Sequence, residues 1–155
     1  MLFAAFALGG LVAAAPRDSA VIVDSGSTNT QGYKIEVWSD GTASLAMPGP
    51  SGSAQSAPKS FTIPAETTTR FFSDLAAARK VRTATEVCMK SASFGTTTHV
   101  TWQGWTSPDL DCPPNDPAIA ALVKDVSAIR QAAGINGPPL RRAPLTMPST
   151  RPKPS

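Results

Sequence analysis

One stretch of the sequence, residues 33–47, restricts the fold more than any other. Large apolar residues occupy alternate positions, so one side of an extended chain is apolar and the other is polar. The residues on the apolar side of its first half are Tyr33, Ile35 and Val37. Asp40 and Gly41 follow, and both tolerate the positive φ that a tight hairpin turn requires. The pattern predicts a β-hairpin with one buried face and with Trp38 on the opposite face.

Two later segments have helical spacing. Pro64 suits the first turn of a helix, and the apolar residues after it repeat every three or four positions. In a second segment, Asn115 or Asp116 is placed to cap a helix, Pro117 opens it and Gly134 closes it. The apolar stripe of this second helix consists of Ile119, Leu122, Val123, Val126 and Ile129.

A second hairpin is predicted from Glu86 to about Trp102, with its turn near residues 93–96. In its second strand, Val100 and Trp102 face one way and His99 faces the other. Hairpins that alternate with helices indicate an antiparallel sheet with the helices packed on one face. The predicted fold is therefore α+β, with two hairpins and two helices in the order β-β-α-β-β-α.

The chain divides into three parts, since 155 residues suit one domain with appendages. Residues 1–15 are an apolar leader, residues 16–136 form a single domain, and residues 137–155 are a basic tail. The tail is rich in proline and has no apolar period, which predicts disorder. Within the domain, residues 48–60 contain no large apolar side chain, and we expect a flexible surface loop there.

The leader has the composition of a signal peptide. It is too short for a transmembrane helix, which needs about 20 apolar residues, and it ends in small residues at 13–15 that suit cleavage. No Lys or Arg precedes the apolar run, so a weak signal, a start further upstream and a buried N-terminal helix remain alternatives. The leader predicts a secreted or periplasmic protein, and we see no later segment that is apolar enough to span a membrane.

The two cysteines, Cys88 and Cys112, both lie in the predicted domain. An even number of cysteines in an exported chain favours a disulfide, and two separate buried thiols are the alternative. A zinc site is a poorer interpretation, because His99 is the only histidine and structural zinc takes four ligands. We therefore expect a Cys88–Cys112 bridge and no metal.

The positive charge of the chain is concentrated in its tail. The net charge is +3, and residues 138–155 hold four basic residues and no acidic one. The predicted domain is consequently close to neutral, whereas a nucleic-acid-binding domain carries its basic patch on the folded part. The sequence therefore argues against a nucleic-acid partner.

Two segments are richer in hydroxyl groups and glycine than a turn requires, residues 24–29 and 91–97. Exposed hydroxyls and backbone amides suit hydrogen bonding to a peptide backbone or an anion, although ordinary connectors are the alternative. Trp38 adds a potential aromatic contact, because it falls on the polar side of its strand. The candidate binding residues are Asp24, Ser25, Ser27, Asn29, Ser91, Ser93 and Trp38.

Asp24 also allows an enzymatic interpretation. The β-branched run at 21–23 followed by Asp24-Ser25-Gly26 is like the strand and loop of aspartic proteases. That chemistry needs two carboxylates that share a proton, so a homodimer would have to supply the second. We also considered His99 as a general base and the two acids at 109 and 111 as a weak calcium site, without a supporting constellation for either.

Three motifs resemble those of small secreted bacterial proteins that carry no assigned function. They are DSGSTN at 24–29, CMKSASFGT at 88–96 and SPDLDC at 107–112, and the resemblance covers roughly residues 21–133. The order of hairpins and helices is also similar to that of the emfourin-like domains, some of which inhibit secreted metallopeptidases. The resemblance implies an inhibitor-like binding role, although layout alone does not carry function. We expect a monomeric, non-enzymatic module without a cofactor that binds a protein or peptide, with the Asp24 hydrolase as the alternative.

Overall fold

The computed structural model of the protein describes residues 17–48, 57–82, 89–90 and 95–135. The fold is α+β, as the sequence predicts, and it contains a six-stranded antiparallel sheet and two helices in these residues. Several predictions lie outside the described residues. They are the signal peptide at 1–15, the tail at 137–155, most of the loop at 48–60, the start of the second hairpin at Glu86, and the positions of Cys88, Ser91 and Ser93.

The first four strands form a meander, and the last two are added on the other side of the first strand. The strands are β1 (Ser19–Asp24), β2 (Tyr33–Trp38), β3 (Thr42–Ala46), β4 (Lys59–Thr62), β5 (Thr98–Trp102) and β6 (Trp105–Thr106). The helices are α1 (Ala65–Ala78) and α2 (Pro117–Ala132). The order across the sheet is β4-β3-β2-β1-β5-β6, and every neighbouring pair is antiparallel. The long strands of the centre are thus flanked by short strands at both edges.

The core lies between one face of the sheet and the two helices. Residues paired across antiparallel strands share a face, so the buried Ile22 is level with Ile35 on β2 and Val100 on β5. Phe71 of α1 and Leu122 of α2 are fully buried in the same cluster. Both helices therefore cover the same face, while the other face of the sheet carries most of the polar strand residues together with Val23 and Trp38.

The first correction concerns β1. The sequence identifies the apolar run at 21–23 but leaves it out of the predicted hairpins. In the structure, β1 is a central strand that pairs with β2 on one side and β5 on the other. Ala20 and Ile22 are completely buried, whereas Val23 on the opposite face is 43% exposed. The strand therefore extends beyond the three-residue run and contributes both Ala20 and Ile22 to the core.

The second correction concerns the loop predicted at 48–60. Its last two residues belong to β4, which pairs with β3 and ends at Thr62. Phe61 is the only large apolar side chain of this strand, and it packs against the core beside Ala43. A strand with a single apolar contact lacks the alternation by which strands are identified from sequence.

The third correction concerns the second hairpin. The neighbours of β5 are β1 and β6, so a strand that starts at Glu86 does not pair with it. Beyond β6, the chain continues along the same side of β5, because the Ser107 amide donates to the Val100 carbonyl and the Leu110 amide to the Thr98 carbonyl. The hairpin is therefore formed with the residues after β5, not with those before it.

The predicted signals of α2 are confirmed. The Asp116 side chain accepts hydrogen bonds from the amides of Ala118 and Ile119 at 2.8 and 3.3 Å, which is the geometry of an N-cap. Pro117 opens the helix, and Gly134 follows it with a φ of 78°. The cap and the apolar stripe together fix which face of α2 meets the sheet.

Candidate functional site

Trp38 lies on the uncovered face of the sheet, as its position in the alternation predicts. It is half-buried and borders a shallow depression of about 700 Å³ at the β3–β4 side of the sheet. The other residues around the depression are Arg17, Thr42, Ala43, Ser60, Phe61 and Thr62. An aromatic ring beside hydroxyl groups offers both apolar area and hydrogen bonds to a ligand.

The outer edge of β4 presents unpaired backbone groups. The Ile63 amide donates to the Gly41 carbonyl at 2.8 Å, which makes these residues a hydrogen-bonded pair. In an antiparallel ladder such pairs alternate with residues whose N–H and C=O point away from the partner strand. Ser60 and Thr62 therefore direct their N–H and C=O groups away from β3. No strand in the described part of the chain lies on that outer side of β4. We call Ser60, Thr62 and Trp38 the open edge.

The charges next to the open edge are balanced. Arg17 forms an exposed ion pair with Asp40 at 2.8 Å. Asp40 also accepts hydrogen bonds from the Thr42 hydroxyl and amide at 2.6 and 2.9 Å, and these lower its pKa, with a smaller contribution from Arg17. The surface therefore lacks a strong field of one sign, and a ligand would be recognised here by shape and hydrogen bonding.

The two hydroxyl-rich segments predicted as binding loops meet at the opposite end of β1. The Ser25 amide donates to the Thr97 carbonyl, and the Thr97 amide donates to the Ser25 hydroxyl, both at 3.0 Å. Gly26 has a φ of 65°, and a Cβ there would lie 2.5 Å from the Gly32 nitrogen. The turn is thus tightly closed and tied to the start of β5.

Asp24 itself is buried, with 6% of its surface exposed. One carboxylate oxygen accepts the Gly26 amide at 2.7 Å, and the other lies 3.1 Å from the Thr98 hydroxyl. Burial raises the pKa of Asp24, while these two hydrogen bonds oppose the rise. The side chain therefore faces the helix layer and closes its own turn.

A second carboxylate, Asp111, faces the same hydroxyl. Its Oδ2 lies 3.1 Å from Thr98 Oγ1 and 2.7 Å from Thr96 Oγ1. Neighbouring Asp109 accepts the amides of Thr98 and Asp111 and pairs with Lys90. We call the segments 24–29, 96–98 and 109–112 the loop end. Sequence reasoning missed the pairing of Asp24 with Asp111, because residues 87 positions apart carry no local signal of contact.

The remaining predicted site residues differ in their positions. Ser27 pairs with Thr30 in a turn whose tip includes the exposed Asn29. Ser91, Ser93 and Cys88 lie outside the described residues, so the disulfide to Cys112 stays a prediction. Among the predicted binding residues that the structure describes, Trp38 and Asn29 are therefore the two that are at least partly exposed and are not tied into the fold by a side-chain hydrogen bond described above.

The described residues show no metal or membrane element. No cluster of three or more His, Cys, Asp or Glu in residues 17–48, 57–82, 89–90 and 95–135 has the geometry to hold a metal ion. In the same residues, no helix has the length and hydropathy needed to cross a bilayer.

His99 Nδ1 lies 2.9 Å from the Ser107 carbonyl oxygen and so donates its proton there.

The Asp24 arrangement differs from what hydrolysis requires. An attacking water needs access to the carboxylates, but Thr98 is fully buried between them and Asp24 almost so. Arg130 of α2 also lies close enough to influence both Asp24 and Tyr33, with its guanidinium 5.3 Å from the Tyr33 ring centroid. The geometry favours a structural role for Asp24 in this fold.

Comparison with known proteins adds no relative. No family model matches the chain, and no curated protein or solved structure is significantly similar to it.

Proposed function

We propose that the chain is an exported, non-enzymatic module that binds an extended segment of a protein or peptide through the open edge. One observation carries the proposal. Ser60 and Thr62 direct their backbone groups outward, and the same two residues border the depression beside Trp38. An added strand would therefore form backbone hydrogen bonds with Ser60 and Thr62, and a long side chain on it would extend over β4 into the depression that Trp38 borders.

The energetics of this mode are sufficient for specific but moderate binding. Each net hydrogen bond contributes about 0.5–1.5 kcal/mol, and a tryptophan at the centre of a contact contributes about 2 kcal/mol or more. The uncovered face continues from the depression to Val23, which is 43% exposed, so a folded partner would have further area to cover.

The experiment selects ligands from a random octapeptide library on the purified protein and measures their affinities by calorimetry. Ser60→Pro removes one outward N–H at an edge position where proline is tolerated, whereas Ser60→Ala keeps that N–H. We expect the proline variant to weaken binding about tenfold or more and the alanine variant to leave it within about twofold. Trp38→Ala should weaken binding about thirtyfold.

Hydrogen exchange on the wild-type complex keeps the test independent of any variant that folds poorly. The amides of Ser60 and Thr62 should become protected when the selected peptide binds. Failure to select a peptide, or selected peptides that protect neither amide and tolerate both Ser60→Pro and Trp38→Ala, would overturn the proposal. Self-pairing of β4 in a second copy, seen by ultracentrifugation, would replace the monomer that we propose.

Export belongs to the same proposal and rests on the leader at residues 1–15. Its apolar composition and terminal alanines support a signal peptide and a secreted or periplasmic location. An oxidising compartment would also support the Cys88–Cys112 bridge. Mass spectrometry of the exported protein should find a new N-terminus between Ala13 and Ala15, and an intact Met1 in that fraction would contradict export by cleavage.

A further inference from the structure

The Thr98 hydroxyl has a single proton but faces two carboxylates. Its Oγ1 lies 3.1 Å from Asp24 Oδ2 and 3.1 Å from Asp111 Oδ2. Thr98 can donate to only one of them, and a carboxylate without a proton can only accept. At 3.1 Å each contact is long for a hydrogen bond from a hydroxyl, so one proton between two ionised acids leaves at least one of them without a well-formed hydrogen bond.

We propose that Asp24 and Asp111 share one proton through the Thr98 hydroxyl, and that this proton fastens the loop end. In this arrangement the protonated Asp24 donates to Thr98 Oγ1, which donates its own proton to Asp111 Oδ2. All the contacts around Thr98 are then satisfied. The proposal concerns a proton site at the loop end, and it does not depend on peptide binding at the open edge.

The direction of the chain of hydrogen bonds follows from the other donors at the site. Asp111 Oδ2 already accepts the Thr96 hydroxyl at 2.7 Å, whereas Asp111 Oδ1 is buried without a hydrogen-bond partner among the described residues. Asp24 accepts the Gly26 amide through Oδ1 only, which leaves Oδ2 to carry the proton. Asp24 is also the more buried acid, and burial disfavours its charged form.

The surrounding charged groups from every packed element agree with one proton. Arg130 of α2 favours the charged form of Asp24, while the nearby Asp111 disfavours it. Asp109 is paired with Lys90 and adds little net charge. The Tyr33 hydroxyl of β2 is buried without a well-formed hydrogen bond among the described residues, and burial, with a smaller contribution from Asp24, raises the pKa of Tyr33 against the opposing influence of Arg130 and Thr98, so it stays neutral.

The site makes the loop end sensitive to pH. The pKa of Asp24 is raised above its ordinary value of 3.8, so the folded state binds this proton more tightly than the unfolded chain. Its stabilising contribution is complete below pH 3.8 and is lost as the pH rises through the folded pKa. Above that pH the buried Asp24 carboxylate and the half-buried Asp111 carboxylate repel each other, and the turn at 24–29 should separate from residues 109–112 more often.

The experiment follows the Asp24 carboxyl carbon by NMR over a pH titration and the exchange of the Gly26 amide over the same range. We expect Asp24 to titrate above 3.8, and a Gly26 opening constant that rises about tenfold through that step. Asp24→Asn mimics the protonated acid, so its Gly26 opening should lose this dependence. Asp125→Asn, in the helix layer, is the matched control and should retain it.

Two results would overturn the proposal. One is a wild-type titration in which the Asp24 carboxyl titrates at or below pH 3.8. The other is an Asp24→Asn variant whose Gly26 amide opens as readily as that of Asp24→Ala at neutral pH. The wild-type titration decides the question even if Asp24→Ala does not fold.

Discussion

The loop end and the open edge are both built from small polar residues, but they use them in opposite ways. At the loop end, Asp24, Ser25 and Thr98 spend their hydrogen-bonding groups on one another and on nearby amides. At the open edge, Ser60 and Thr62 keep backbone groups that no strand in the described part of the chain uses. The comparison shows that a segment rich in polar residues offers a binding surface only where its hydrogen-bonding groups are not already paired within the protein.

The position of each region in the sheet explains this difference. The loop end connects the central strands β1, β2 and β5, so Asp24 and Thr98 are enclosed by these strands and by α2, whereas the tip of its turn, at Asn29, is exposed. Buried polar groups must find partners inside the protein, because an unsatisfied one costs about 1–3 kcal/mol. Ser60 and Thr62 of the open edge lie on the outermost strand, where water can hydrogen-bond to their outward N–H and C=O groups.

The largest expected effect concerns the covalent closure of the loop end. If Cys88 and Cys112 are bridged, the bond closes a loop of about 24 residues and should stabilise the fold by about 3 kcal/mol. Chemical denaturation with and without a reductant measures this difference, and peptide mapping without reduction identifies the bond. Cys112→Ala should lose as much, whereas two thiols that alkylate readily in the native protein would contradict the bridge.

The second prediction tests whether the Thr98 hydroxyl is needed. Thr98→Val keeps the shape of the side chain but removes the group between Asp24 and Asp111, and we expect a loss of about 2 kcal/mol. Thr101→Val is the matched control, because Thr101 is exposed on the other face of the same strand. That change should lie within about 0.5 kcal/mol of the wild type. Equal effects of the two variants on denaturation midpoints would remove the contrast between the two faces.

The sequence predicts the parts of the fold that local patterns define. The alternation of β2 and the cap at Asp116 are local and are confirmed. A turn is also present at Asp40 and Gly41, but it includes Ser39, and only Gly41 has the positive φ that was predicted for both residues. Strand partners depend on residues far apart in the chain, and here the prediction was wrong for β5. A pairing of β5 with β1 joins residues about 80 positions apart, for which no turn signal exists.

The candidate site divides in the same way. The exposure of Trp38 follows from its parity in β2 and was predictable. The burial of Asp24 was not, because the residue ends β1 and directly precedes turn residues, where an exposed side chain is ordinarily expected. Its burial results from Tyr33 and Thr98 on the flanking strands, which pair level with it.

The third prediction separates the loop end from another buried acid, Asp125 on α2. Burial and the neighbouring Asp74 raise the pKa of Asp125 to about 6, and Arg70 opposes this. The folded state then binds the proton more tightly, so stability is lost as the pH rises from 3.8 to about 6. Asp125→Asn should therefore lose less stability than the wild type between pH 3.5 and pH 7. If the stability of Asp125→Asn changes with pH as that of the wild type does, then Asp125 is not the source of this pH dependence.

The smallest expected effect is at the open edge, and it is the sharpest test of the comparison. Ser60→Ala with Thr62→Ala removes two hydroxyls from the uncovered face, and neither side chain is buried. The double variant should unfold within about 0.5 kcal/mol of the wild type, because exposed hydroxyls exchange one water contact for another. Ser25→Ala at the loop end removes a single hydroxyl that accepts the Thr97 amide, and it should cost about 1 kcal/mol. If two hydroxyls at the open edge cost more than one at the loop end, then the edge is engaged by other parts of the chain and is not free to receive a partner strand.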